Sequence, residues 1–146
     1  MNNAERAVSN FKKGFSCSQS VLSAYGPKLG LPRAMALKVA GAFGGGMGRM
    51  GSTCGAVTGS FMVIGLKYGA ARVENLQEKE KVYGYVREFV KRFTSLNGSI
   101  LCKELIKCDL STMEGVQTAI EKQLFITVCP KLVQDATNIL DQLLSS

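Results

Sequence analysis

The sequence has no histidine, no tryptophan, only three prolines, and 11 acidic residues against 18 basic ones. Without histidine there is no Ser-His-Asp triad, no Cys-His nucleophile pair, no C-x-x-C-H haem attachment and no imidazole ligand for zinc. A long apolar run is also missing. The segment from Met50 to Leu66 carries no charge, but glycine, serine and threonine dilute it and it is shorter than a membrane span, so it reads as a buried central helix. The N-terminal stretch is charged throughout and lacks the apolar core of a secretory signal, so the expected location is cytoplasmic. Net charge is +7 and the pI is about 9.3, but the basic residues are scattered from Arg6 to Lys131 and mixed with acids, which argues for a solvated face rather than a nucleic-acid partner.

What the chain does have is 46% hydrophobic and 20% charged residues over 146 positions, values of a folded protein with one core. The expected organisation is one all-α domain over residues 1–146, an irregular bundle of about six to eight helices. Ala4, Ala7, Val8 and Phe11 line a first helix that ends near Gly14, and a second runs from Cys17 to about Leu29, shortened by Gly26-Pro27. A third begins around Pro32 and stops at the Gly44-Gly45-Gly46 run; the apolar fourth covers roughly 53–70. Leu76, Tyr83, Val86, Val90 and Phe93 mark an amphipathic helix closed by Asn97-Gly98. A short helix over 102–107 follows, then one over about 112–125 opened by a capping-box pattern at Ser111-Thr112-Met113-Glu114, then a last from Cys129 to Leu144.

Five cysteines remain as the carriers of chemistry, and four of them, Cys17, Cys54, Cys102 and Cys129, fall where a helix begins. Unpaired backbone N–H groups and the helix dipole favour a thiolate there, and the thiolate is the form that attacks disulfides or ligates metals. Cys108 falls outside this set and reads as a small core residue. A soft thiolate set selects zinc or Fe–S centres. No C-x-x-C pair is present, however, and the nearest pair, Cys102 and Cys108, leaves a closed four-thiolate zinc site unspecified by spacing.

Gly46-Met47-Gly48-Arg49-Met50-Gly51 matches the dinucleotide pattern G-x-G-x-x-G, but a helix rather than a strand precedes it, so a Rossmann reading fails. The loop can bind an anion through its backbone with Arg49 adding charge, or serve as a tight connector. Gly51, Gly55 and Gly59 are four apart and would form a strip for close helix packing or cofactor contact. Met35, Met47, Met50 and Met62 read as core or loop packing.

Cys54-Gly55-Ala56-Val57-Thr58-Gly59, with Phe15-Ser16-Cys17-Ser18-Gln19-Ser20-Val21, Cys102-Lys103-Glu104-Leu105 and Val128-Cys129-Pro130, resembles the blocks of the C_GCAxxG_C_C family, small proteins thought to be redox-active. The resemblance covers nearly the whole chain. It places the family's four cysteines on Cys17, Cys54, Cys102 and Cys129 and leaves out Cys108. It departs at one point: the family motif writes glycine before the second cysteine, whereas Thr53 stands there and glycine follows. The resemblance implies redox function, with some members holding iron–sulfur clusters. The expectation is therefore that these four cysteines converge on one site for electron transfer or thiol–disulfide exchange with a redox partner protein, with Fe–S or zinc as occupant, and with Gly55, Gly59 and Arg49 contacting a cofactor. In the exchange version Cys54 attacks and Cys17 or Cys129 resolves the mixed disulfide. A structural zinc or other metal-binding module, or an interaction protein with core-packed cysteines, is the alternative.

Overall fold

A computed structural model describes residues 1–145. Among the described residues there are eight α-helices and no β-strand. These are α1 (Asn3–Lys12), α2 (Cys17–Tyr25), α3 (Arg33–Ala40), α4 (Gly55–Tyr68), α5 (Leu76–Asn97), α6 (Cys102–Ile106), α7 (Met113–Glu121) and α8 (Cys129–Leu144). Single turns at Gly44–Met47 and Leu124–Thr127 and 3-10 turns at Gly26–Leu29 and Gly41–Phe43 join them. Among the described residues no helix is long and apolar enough to cross a membrane.

The uncharged segment is the centre of the bundle. Helix α4 buries Ala56, Val57, Val63 and Ile64 together with Gly55 and Gly59, and packs against α2, α5 and α8. Around it Val21, Leu22, Phe89, Phe93, Val133 and Leu140 complete the main core. A smaller apolar cluster of Cys102, Ile106, Leu110, Ala119 and Cys129 sits under α6 and α7.

Local chemistry sets the ends. Asn2 and Ser16 each accept from the backbone three residues on, and Glu5 and Gln19 reach back to them, giving two reciprocal caps. At Thr112 the hydroxyl accepts from the Gly115 N–H at 2.9 Å, but glycine at the third position cannot return the bond, so the expected capping box is a single cap. Three expected helices are shorter than their periodicity suggests. Pro27 interrupts α2, and the chain continues as a 3-10 turn to a left-handed Gly30. Helix α3 ends at Ala40, and α7 breaks before Gln123, whose φ of 57° turns the chain into the separate 124–127 turn. Met35 and Met50 are 51% and 64% exposed, which corrects their reading as packing residues.

Candidate functional site

Each family-pattern cysteine does stand at a helix start: Cys17, Cys102 and Cys129 are the first residues of α2, α6 and α8, and Cys54 caps α4. Two backbone devices bring these starts to one side of the molecule. Gly55 and Gly59 have no side chain where α4 meets α2; a Cβ on Gly55 would lie 2.8 Å from the Ser18 nitrogen and 3.1 Å from the Cys17 Cβ, and one on Gly59 would lie 2.9 Å from the Ser18 carbonyl oxygen. The helices therefore touch backbone to backbone, and Cys17 is set beside Cys54. Gly51 is not on this strip, since it lies in the preceding loop with φ 73°. An isolated antiparallel bridge between Thr53 and Leu101 is the second device. There the Cys54 N–H donates to the Ile100 carbonyl at 2.7 Å and the Cys102 N–H to the Ser52 carbonyl at 2.6 Å.

The glycine run forms the wall between them. Gly45, Gly46, Met47, Gly48 and Arg49 are five successive residues with φ between 61° and 71°, a left-handed turn closed by the Arg49 N–H on the Gly44 carbonyl at 3.0 Å. Such a turn costs roughly 1–2 kcal/mol for each residue that is not glycine, and Met47 and Arg49 bear that cost here. Glycine is also required at 46 by space: a Cβ there would stand 2.6 Å from the Cys102 Cβ.

Together these elements enclose a cavity of about 810 Å³. Its walls include Cys17, Cys54, Cys102 and Cys129, the glycine run, Gly55 and Arg49, with Phe11, Phe15 and Phe125 as apolar surface. A hollow of similar size beside residues 70–78 holds no cysteine. Lys12 and Phe125 carry no sequence signal for a site; Phe11 reads as a helix-face residue and Phe15 as part of a cysteine block, and nothing in their spacing separates a cavity wall from a core contact.

The thiols differ in state. The Cys17 thiol beside it, set against the cost of burial and helped by the N–H groups of Ala56 and Val57, holds Cys54 below the usual thiol range. Hydrogen bonding to Cys129 and to Cys54, reinforced by burial, holds the Cys17 thiol well above it. Burial first, and then the negative charge of its cysteine neighbours, pushes Cys102 up to about 12. The sulfurs are therefore inequivalent: Cys54 gives up its proton more readily than an ordinary thiol and Cys17 less readily.

This corrects the expected centre. All five cysteines are free thiols, and among the described residues no group of three or more Cys, Asp or Glu side chains is placed to hold a metal ion. The residues therefore do not fit an Fe–S cluster or zinc, each of which needs several ligand side chains grouped about one centre. The four-cysteine centre for electron transfer or thiol–disulfide exchange, the iron–sulfur occupant and the metal-binding alternative are all set aside.

Cys108 takes no part in the cavity wall; its Sγ donates to the Gly115 carbonyl at 2.9 Å. Cys108→Ser keeps that donor and is expected to leave the alkylation rate of Cys54 unchanged, as measured by peptide mass spectrometry.

The protein is thus an all-helical bundle with four cysteines at helix starts around one cavity. The chain belongs to the C_GCAxxG_C_C family: the family model, described as "Putative redox-active protein (C_GCAxxG_C_C)", matches residues 15–143. No curated protein and no solved structure matches it.

Proposed function

We propose that the cavity is a two-cysteine redox site in which Cys54 and Cys17 reduce a small organic hydroperoxide. The reading is carried by the Cys54 sulfur in the cavity wall at the start of α4, with Cys17 set beside it by Gly55 and favouring the Cys54 thiolate. Family membership supports redox chemistry. Burial selects the oxidant: Cys54 is only 3% exposed, so the disulfide of a folded partner cannot reach it, whereas a small molecule within the cavity can.

In the first step the Cys54 thiolate attacks the distal oxygen of the hydroperoxide. The O–O bond breaks, Cys54 becomes a sulfenic acid, and the departing alkoxide takes the Cys17 proton to leave as alcohol. The Cys17 thiolate then attacks the Cys54 sulfur, and hydroxide departs as water with the proton that Cys54 had earlier released to solvent. Two electrons pass from the sulfurs to the O–O bond, and a Cys17–Cys54 disulfide remains. Gly55 permits this pair to approach, and Arg49 stands in the wall beside it.

The test is a single-turnover titration of fully reduced protein with cumene hydroperoxide. One equivalent should remove two of the five thiols, place them in a Cys17–Cys54 disulfide by peptide mapping, and yield one equivalent of alcohol. Cys54→Ser should abolish the reaction. Unchanged thiol titre in the wild type, or equal oxidation in the variant, would overturn the proposal.

A further inference from the structure

The cavity wall carries basic side chains, Lys12 and Arg49, and no carboxylate. Among the described residues the ion pairs are Arg92 with Glu88 and Lys131 with Asp135, so neither cavity cation is neutralised by a protein carboxylate. Arg49 is held there at some cost. Its backbone is left-handed, and its stem lies across Gly45, where a Cβ would come within 2.8 Å of the Arg49 Cγ and 3.8 Å of Leu110. A side chain at residue 45 would displace this arginine. The wall also has an apolar part, which includes Phe11, Phe15, Ile106, Leu110 and Phe125.

A wall with two unpaired cations and an aromatic and aliphatic remainder matches a ligand with one anionic group and an apolar body. We infer that the cavity recognises small organic carboxylates, with Arg49 and Lys12 holding the carboxylate and the phenylalanine side receiving the hydrocarbon. Arginine suits this role because its planar donors meet both carboxylate oxygens. The inference deepens the two-cysteine reading by naming the substrate class, a carboxylate-bearing hydroperoxide, and it rests on that reading for the reaction though not for the binding.

Calorimetric titration of reduced protein with decanoate and with decanol separates charge recognition from greasiness. Decanoate should bind at least about tenfold more tightly than decanol, the difference that one charge-assisted contact supplies. In the double variant Lys12→Gln, Arg49→Gln that preference should vanish while decanol binding and the thermal melt stay as in the wild type. Equal affinity for the two probes, no binding of either, or a preference that survives the double charge variant would overturn the inference. Because none of these readings consumes a thiol, decanoate selectivity without hydroperoxide reduction would sink the redox reading alone.

Discussion

Replacing Cys17 by alanine is expected to slow alkylation of Cys54 at neutral pH, because a smaller fraction of the sulfur is then thiolate, the form that reacts. The sign follows from the balance at Cys54. Donation from Cys17 is the largest influence on this sulfur and favours the thiolate; burial opposes it, and the two α4 N–H groups assist. Removing Cys17 leaves the burial cost in place with only the backbone donors against it, so the midpoint moves up, toward or beyond the ordinary thiol value. Cys17→Ser retains a hydroxyl donor and should recover part of the reactivity, which a purely steric role for residue 17 would not give. The measurement is the rate of iodoacetamide labelling of Cys54 against pH, read by peptide mass spectrometry. Identical profiles in the parent and both variants would mean that the two sulfurs do not share a proton, and the mechanism proposed above would lose its first step.

The helical class and the identity of the four helix-start cysteines were legible because both rest on local signals. Apolar spacing marks the elements, and Ser16 with Gln19 or Pro130 after Cys129 marks the starts. The state of the sulfurs was not legible. Whether four thiols surround one ion or line an open cavity depends on distances set by contacts far apart in sequence, here the touch of α4 on Ser18 and the bridge from Thr53 to Leu101. A shared helix-start position speaks for a thiolate at each cysteine, yet Cys102, at the head of a five-residue helix and in an apolar cluster, is pushed up to about 12 by burial and by neighbouring negative charge. Desolvation and charge coupling outweigh so short a helix. The glycine run was legible as a tight connector, but its left-handed course was not, because Met47 and Arg49 adopt it against their own preference and only the surrounding packing makes them do so.

Gly59→Ala should lower stability by about 1–3 kcal/mol, although alanine is the better helix former by roughly 1 kcal/mol. The reason is the identity of what the new methyl meets. It would lie 2.9 Å from the Ser18 carbonyl oxygen, 3.1 Å from the Ser18 Cα and 3.3 Å from the Val21 Cβ, and the first two belong to backbone that cannot rotate aside. Helix α2 must then move away from α4. Gly65 on the same helix supplies the control, since a Cβ there has no neighbour within 4 Å and φ is unexceptional. Gly65→Ala should therefore raise stability by about 0.5–1 kcal/mol through the unfolded chain and helix propensity. In thermal melts the two substitutions should move the midpoint in opposite directions, each kcal/mol corresponding to about 2–4 °C in a chain near this size. The displacement also reaches the chemistry. Ser18 follows Cys17, so pushing α2 outward withdraws the Cys17 donor and should shift the Cys54 labelling profile to higher pH, as Cys17→Ala does. A Gly59→Ala protein that melts at or above the parent temperature, with an unshifted profile, would show that the contact of α2 with α4 has slack and that glycine at this position is not what seats Cys17 beside Cys54.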